Sequence, residues 1–228
     1  MAPGDRAEAQ AIDVRIDGAG AAGQGAGAAV GGSRAFWASK RAFDVAVALL
    51  SAPVVLAAAA VIALLNPLLN PGPLLFAQER LGRDNRPFRM LKFRTMRPEG
   101  AGARRPGGAV EADRITPLGA VLRRTRIDEL PQFANILAAE MSLVGPRPDW
   151  LDEARLYEAT VPGYAERHRV RPGISGLAQV ETGYAEGQEM TREKVRHDLR
   201  YIRDASWRQE MRILARTVRV VLTGFGAK

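Results

Sequence analysis

The sequence predicts a mainly α-helical protein with a small β-hairpin element, in which one apolar helix associates with a membrane. Three observations predict this class: a Gly- and Ala-rich start, one uncharged apolar run of membrane length, and several later segments with helical apolar spacing. We therefore divide the 228 residues into a tail (1–36), a membrane segment with its exit (37–70) and a polar globular domain (71–228).

Composition narrows the class of function. Lys and Arg number 33 against 25 Asp and Glu, and the resulting net charge of +8 predicts an anionic partner: nucleic acid, a phosphorylated substrate or an anionic membrane face. The absence of cysteine excludes a disulfide framework, a Cys-ligated metal and a thiol nucleophile. Aromatic residues are only 6% and no helix-turn-helix or RNA-binding signature is present, so we expect no nucleic-acid partner.

The first 36 residues predict a disordered tail, because they are rich in Gly and Ala and have no periodic apolar face. Gly18–Gly23 matches the pattern G-x-G-x-x-G of dinucleotide-binding loops. The glycines continue to Gly32, however, so no regular helix begins where a pyrophosphate would bind. We therefore reject a nucleotide site in the tail.

The membrane segment contains 21 uncharged residues, Val45–Leu65. A straight helix of this length would measure about 31 Å, and a bilayer core is about 30 Å thick. Pro53 lies inside the run and predicts a kink. Basic residues flank both ends, which places both flanks on the cytoplasmic side. These residues leave three alternatives: a re-entrant hairpin, a kinked single span and a buried soluble helix.

The remaining chain predicts a hairpin followed by helices. Leu74–Phe76 and Phe88–Phe93 are of strand length, and residues 98–113 have the composition of a mobile loop. Helical apolar spacing covers three further segments: Leu118–Leu137 (interrupted by Pro131), Trp150–Val161 and Arg192–Ile202. A last helix carries an apolar stripe of Trp207, Met211, Leu214, Val218 and Val221. Its other face is basic, which is typical of an amphipathic helix on an anionic membrane, although packing on a core is the alternative.

Three charged clusters are candidates for chemistry: Lys92–Met96, Arg123–Gln132 and Gly145–Pro148. In the second cluster, the adjacent carboxylates of Asp128 and Glu129 lie among cations. Arginine forks suit diphosphate oxygens, a carboxylate pair can hold Mg²⁺ with substrate phosphates, and an aspartate can attack phosphorus. The cluster therefore indicates a covalent phosphoryl-transfer centre, with salt bridges at a helix start as the alternative.

Taken together and in order, these clusters resemble the bacterial sugar transferases, the monotopic phosphoglycosyl transferase superfamily, in their small catalytic-core form. The resemblance extends from about residue 40 to residue 226. The motifs that carry it are Lys40–Asp44, Ser51–Pro53, Gly72–Pro73, Lys92–Met96, Asp128–Gln132, Met141–Pro148 and Arg171–Gly176.

The resemblance implies transfer of a sugar-1-phosphate from a UDP-sugar to undecaprenyl phosphate, with release of UMP, as the first membrane step of exopolysaccharide or glycoconjugate synthesis. By that resemblance Asp128 is the nucleophile that forms a phosphosugar-aspartyl intermediate, and Glu129 holds the Mg²⁺ together with Asp128. The implied substrate-binding residues are Lys92, Arg94, Arg123, Arg147, Gln179 and Asp198.

The resemblance also implies a membrane arrangement. Ser51 and Pro53 would break a re-entrant helix, so that a catalytic domain with amphipathic interfacial helices faces the cytoplasm at the bacterial inner membrane. Membrane lipid and downstream glycosyltransferases are the further partners that it implies. The chain departs from many relatives at Glu181–Tyr184, which motivates the alternative of an inactive scaffold in polysaccharide assembly, and we expect Glu210 to be structural.

Overall fold

The structure, a computed structural model, describes residues 29–97, 112–182 and 188–223. It is mainly helical with two small sheets. The helices are α1 (Arg34–Leu69), α2 (Pro117–Thr125), α3 (Gln132–Leu137), α4 (Leu151–Thr160), α5 (Leu177–Thr182), α6 (Gln188–Arg203) and α7 (Trp207–Thr223). The strands are β1 (Leu75–Leu81), β2 (Pro87–Phe93), β3 (Ser142–Val144) and β4 (Gly173–Ser175). Most of the predicted tail and of the predicted loop 98–113 lies outside the described residues.

Helix α1 begins where Ser33 caps it: the Ser33 side chain accepts a hydrogen bond of 3.1 Å from the Phe36 N–H. Residues 34–36, which the sequence assigned to the tail, are therefore helical. The helix contains Pro53 and Pro67 and continues past both of them to Leu69. A break at Ser51 and Pro53 stays a prediction.

The middle of α1 is apolar on every side and uncovered. Its most apolar window has a mean hydropathy of 2.6 and only 11% of its residues are buried, so α1 is long and apolar enough to cross a membrane. Ala48 packs in the main core and Ile62 packs in a separate cluster with Phe93 and Leu118, whereas none of the residues between Ala48 and Ile62 is buried. Both ends of α1 thus pack on the globular part, and the segment between them does not.

The predicted hairpin is confirmed, but its first strand is longer than expected: β1 continues to Leu81, beyond the predicted end at Phe76. Strands β1 and β2 pair antiparallel, with Phe76 opposite Lys92. Asp84 and Asn85 have φ of 56° and 55° in the connecting turn, a conformation that Asp and Asn tolerate better than most residues. On β2, Phe88 and Met90 are buried, and alternation places Lys92 on the same face.

A second sheet was not predicted. Strands β3 and β4 pair in parallel, with Ser142 opposite Gly173. Each strand has only three residues, too few for a periodic pattern. Their approach depends on glycine, because a Cβ at Gly173 would lie 2.1 Å from the Gly145 nitrogen. This contact fixes the segment after β3, which carries Arg147.

The helix expected over Leu118–Leu137 is divided into α2, a single 3₁₀ turn (Ile127–Glu129) and α3. The predictions for α4 and α6 are confirmed to within a few residues. On α7 the buried face contains Glu210 and Ile213, while Met211 and Val218 of the predicted stripe are exposed. The predicted stripe is therefore only partly the packing face.

Polar networks fasten both ends of α1 to the globular part. At the start, Lys40 Nζ lies 2.6 Å from Glu210 Oε2, and Tyr201 donates to Glu210 Oε1 at 2.6 Å, which gives Glu210 the expected structural role. At the end, the Arg94 guanidinium donates to Asn70 and Asn66 of α1 and its cap, and to the carbonyls of Pro73 and Met96. All five N–H groups of Arg94 are used in this way.

We expect Arg94→Lys to destabilise the protein, because an ammonium group cannot reach these acceptors and leaves buried carbonyls unpaired. A loss of about 3 kcal/mol in unfolding free energy would lower the apparent unfolding temperature in detergent by about 6 to 12 °C. Arg86→Lys, at an exposed position in the hairpin turn, is the matched control and should leave it unchanged. Equal melting of the two variants would contradict the assigned role of Arg94.

Candidate active site

The adjacent carboxylates of Asp128 and Glu129 point into the protein because the residue that precedes their turn has a left-handed backbone conformation. Arg126 ends α2 with φ of 60°, and the 3₁₀ turn that follows carries Asp128 and Glu129. Such a conformation costs a non-glycine residue about 1–2 kcal/mol. Asp128 and Glu129 are only 7% and 9% exposed as a result.

Glu129 is surrounded by cations from three segments. Arg147 contacts both of its oxygens, at 2.5 Å (Nη2 to Oε1) and 3.4 Å (Nη1 to Oε2). Lys92 Nζ lies 3.3 Å and Arg126 Nη1 lies 3.7 Å from Oε1. Burial alone would raise the pKa of Glu129, but the attraction of Arg147 and Lys92 outweighs it and holds this pKa well below its ordinary value.

Asp128 has a different environment. Among the described residues, the one cation within ion-pair distance is Lys92, whose Nζ lies 3.7 Å from Asp128 Oδ2. Burial therefore dominates and raises the pKa of Asp128 above 3.8, although Lys92 opposes the shift. The two neighbouring carboxylates thus differ: Glu129 is ionised and held by several ion pairs, whereas Asp128 is more basic and has fewer contacts. A more basic, unpinned carboxylate is the better nucleophile of the two.

Further polar residues border this dyad of Asp128 and Glu129. Arg123, in the last turn of α2, lies near enough to lower the pKa of Asp128, and its Nη1 is 3.8 Å from the Met96 sulfur. Gln179 and Arg147 share one acceptor: the Ile174 carbonyl accepts from Gln179 Nε2 at 3.4 Å and from Arg147 Nη1 at 3.2 Å. Gln179 Oε1 is buried without a hydrogen-bond partner in the described part of the chain.

A buried network supports Arg147 from behind. Arg167 Nη2 donates to the Arg147 carbonyl at 2.6 Å and lies 2.8 Å from Asp198 Oδ2, and Arg167 Nη1 pairs with Asp149. Lys194 and Tyr164 also bind Asp149. Burial would raise the pKa of Asp149, but Lys194 and Arg167 outweigh it and hold this pKa far below its ordinary value.

The structure brings together five of the residues predicted to act with substrate or metal: Lys92, Arg123, Asp128, Glu129 and Arg147, with Gln179 beside them. It does not bring Arg94 or Asp198 to the dyad. Every N–H of Arg94 is directed to the end of α1 and nearby carbonyls, and Asp198 lies one layer behind Arg147, bound to Arg167.

Comparison with known proteins identifies the family. A family model described as bacterial sugar transferase matches residues 35–224. The chain belongs to the bacterial sugar transferase family.

Three relatives illustrate the similarity. The UDP-N-acetylgalactosamine-undecaprenyl-phosphate N-acetylgalactosaminephosphotransferase of Aeromonas hydrophila is 47% identical over 169 residues, which cover 73% of this chain and 39% of that protein. The UDP-glucose:undecaprenyl-phosphate glucose-1-phosphate transferase of Caulobacter vibrioides is 43% identical, covering 73% of this chain and 67% of that protein. The exopolysaccharide production protein PSS of Rhizobium leguminosarum bv. phaseoli is 41% identical, covering 71% and 84%. The chain thus spans about two fifths of the Aeromonas protein.

The carboxylates of the dyad are the candidate Mg²⁺ ligands of this sugar transferase. Within residues 29–97, 112–182 and 188–223, no three His, Asp or Glu side chains gather as a complete metal cage. Mg²⁺ usually takes only one or two carboxylates and completes its shell with water and substrate phosphates. Asp128 and Glu129 fit that requirement, and the second oxygen of Asp128 has no cation partner among the described residues.

Other polar residues lie away from the dyad. His168 is buried, with Nδ1 2.6 Å from Asn85 Oδ1, and burial lowers its pKa to about 3. Glu181, at the departure from relatives, lies 3.1 Å from Arg216 and 2.9 Å from His197, so it links α5 to α7 and α6. Tyr184 lies outside the described residues.

Sequence reasoning missed Arg126 as a partner of Glu129 and Arg167 as the support of Arg147. Arg126 lies two residues before Asp128 in the cluster Arg123–Gln132, so its position in the sequence could have indicated the contact. Arg167 is 20 residues from Arg147, and no local pattern connects the two.

We expect Arg167→Met to cost about 3–5 kcal/mol of unfolding free energy, because it leaves the buried carboxylate of Asp198 without its cation and removes one of the two cations that bind Asp149. Thermal unfolding in detergent measures the loss. The matched control is Arg169→Met, which removes an exposed pair with Glu166 (2.8 Å) worth at most about 1 kcal/mol. A stable Arg167→Met protein would show that the network does not support this part of the fold.

Proposed function

We propose that this sugar transferase moves a sugar-1-phosphate from a UDP-sugar to undecaprenyl phosphate through a phosphosugar-aspartyl intermediate on Asp128. The observation that carries the proposal is the unequal pair of adjacent carboxylates, in which cations pin Glu129 and Asp128 stays basic and less constrained. The named functions of the Aeromonas and Caulobacter relatives support the donor and acceptor classes.

The reaction has two displacements at one phosphorus atom. In the first, an Asp128 oxygen attacks the sugar-bearing phosphorus, the bond to the bridging oxygen breaks, and UMP leaves with the electron pair. In the second, a phosphate oxygen of undecaprenyl phosphate attacks the same phosphorus and the acyl–phosphate bond breaks. The Asp128 carboxylate is regenerated and the product is an undecaprenyl diphosphate sugar.

The surrounding cations suit the charge of these substrates. Lys92 and Arg123 border Asp128, where phosphate oxygens would gather during transfer. Arg147 holds Glu129 in an ionised state, and the unpaired Oε1 of Gln179 is a hydrogen-bond acceptor for a substrate hydroxyl. Preorganised cations of this type stabilise the transition state of phosphoryl transfer.

Mg²⁺ is part of the proposal. Asp128 and Glu129 would hold it together with substrate phosphates, and the ion would neutralise charge on those phosphates. Among the residues of the site, Lys92 favours the ionised form of the nucleophile against the effect of burial. Lys92 attracts both carboxylates, and Arg147 fixes Glu129 beside Asp128.

We propose that α1 is re-entrant and that the catalytic domain faces the cytoplasm at the inner membrane. The support is that Lys40 and Asn70, at the two ends of α1, both contact the same globular part. A helix that crossed the bilayer once would carry its ends to opposite sides. The uncovered apolar middle then lies in the bilayer, and a lipid phosphate at the interface is close to the domain that carries Asp128.

The proposed product is the first lipid-linked intermediate of exopolysaccharide or glycoconjugate synthesis, which downstream glycosyltransferases would extend. The Rhizobium relative is named for exopolysaccharide production, which supports this place in synthesis. The alternative is an inactive scaffold, motivated by the departure at Glu181. Turnover decides between the two.

The decisive measurement is UMP release by the full chain in membranes with undecaprenyl phosphate, Mg²⁺ and a panel of UDP-glucose, UDP-galactose and UDP-N-acetylgalactosamine. We expect release with one donor and a loss of at least ~10³-fold in Asp128→Asn, because the nucleophile is removed. Asp152→Asn, an exposed carboxylate on α4, is the matched control and should retain full activity.

A chemical trap completes this test. Incubation with the radiolabelled donor, without undecaprenyl phosphate, should leave labelled phosphosugar on Asp128. A fully active Asp128→Asn protein would contradict the aspartyl mechanism. Folded protein that releases no UMP with any donor of the panel would favour the scaffold.

The pH dependence of kcat/KM gives a second test. Asp128 must be ionised to attack, and its pKa is raised, so activity should fall as pH drops through a pKa above 3.8. Lys92 is the cation that most lowers this pKa, so Lys92→Gln should move the acidic limb to higher pH. Arg123→Gln should move it less, because Arg123 contributes less to the shift.

The matched control for this profile is Arg124→Gln, an exposed neighbour of Arg123. It should leave the acidic limb in place, because Arg124 is exposed and is not among the main charges that shift the pKa of Asp128. An equal displacement in all three variants would mean that the limb reports overall charge and not Asp128.

A further inference from the structure

A concave site lies away from the dyad. A cavity of about 400 Å³ lies between the first turns of α1, the hairpin turn at Arg83 and the segment Arg169–Arg171. Neither Asp128 nor Glu129 lines it, and neither do their cation partners. The cavity is therefore separate from the proposed reaction centre.

The walls of this cavity carry more cationic than anionic side chains. Five arginines and Lys40 line it, against the one carboxylate of Asp44. Lys40 is engaged by Asp44 and Glu210. Within the described part of the chain, Arg34, Arg41 and Arg171 form no ion pair.

The guanidinium groups also have donors to spare. Among the residues that the structure describes, Arg41 uses Nη1 and Nη2 once each, on the carbonyls of Ile136 and Leu137, and Arg171 donates from Nε alone, to Ala139. Burial lowers the pKa of Arg171, and the nearby charges of Arg41 and Arg83 lower it further. Cations held this close to one another in a concavity attract an anion.

The chemistry of the walls selects a phosphate. Guanidinium forks match the geometry of phosphate oxygens, and several forks favour a group with more than one negative oxygen. Val30, Trp37 and Val170 add an apolar side to the same cavity. A volume of about 400 Å³ is sufficient for one small ligand.

We propose that this arginine-lined cavity binds a phosphate group whose remaining part contacts the apolar wall at Trp37. Two sources have this chemistry: the headgroup of an anionic lipid and a free phosphorylated solute. Asp44, in one wall, directly precedes the apolar run of α1, so a bilayer headgroup is within reach, and the cavity is also open to solute.

The test uses the full chain in neutral detergent and counts bound ligands by native mass spectrometry. One arm adds phosphatidylglycerol with phosphatidylcholine as the uncharged reference, and the other adds inorganic pyrophosphate. The double variant Arg34→Gln/Arg83→Gln removes two cations that make no buried contact. We expect it to weaken binding in at least one arm by at least about tenfold, because the loss of even one charged contact has an effect of that size.

Two controls separate this site from bulk charge and from the dyad. Arg155→Gln/Arg196→Gln removes two exposed arginines elsewhere and should bind like the unaltered chain. Arg147→Gln alters the dyad and should leave the cavity-dependent binding intact. Loss in the lipid arm assigns a headgroup, and loss in the pyrophosphate arm assigns a solute. Binding that is absent in both arms, or that falls equally in the Arg155/Arg196 control, overturns the proposal.

Discussion

The ion pairs of Glu129 organise this molecule. Its carboxylate contacts cations from β2 (Lys92), from the end of α2 (Arg126) and from the segment after β3 (Arg147). A buried carboxylate is unfavourable unless it is paired in this way, and three partly exposed cations would repel one another without it. The same arrangement leaves the oxygens of Asp128 with fewer cation contacts than those of Glu129. The functional asymmetry of the dyad is thus a consequence of the interaction that closes the fold around it.

The membrane segment and the reaction centre are linked through a single strand. Lys92 lies on β2 and contacts both carboxylates, and Arg94, two residues later, fastens the end of α1. A displacement of the end of α1 would therefore act on the strand that presents Lys92. The start of α1 is fastened separately, through Lys40 and Glu210. Both attachments are polar and buried, so each fixes a geometry that apolar contacts alone would leave free to slide.

The sequence allowed the dyad to be predicted, together with Lys92, Arg123 and Arg147, because these residues occur in short motifs of unlike charge. The same reasoning failed to show where Arg94 points. Its alternation with Lys92 suggests a shared face, but β2 ends at Phe93 and Arg94 turns to Asn70. Asp198 and Arg167 form a pair between distant segments, which no local spacing reveals. The β3–β4 pair is too short for a pattern, and the left-handed Arg126 follows from tertiary packing and not from a turn residue such as Gly or Asn.

Part of the positive charge of this protein is concentrated in two clusters of cations, one at the dyad and one around the arginine-lined cavity. At the dyad, Lys92, Arg123, Arg126 and Arg147 face two carboxylates, so the site keeps a positive surplus for substrate phosphates while much of its field is directed at Asp128 and Glu129. At the arginine-lined cavity the cations greatly outnumber the one carboxylate, so the field is directed at a ligand. A centre that must attack phosphorus needs its anion to be internal, whereas a site that only binds an anion needs none. The two clusters are therefore suited to different tasks, although both contribute to the same excess of Lys and Arg in the composition.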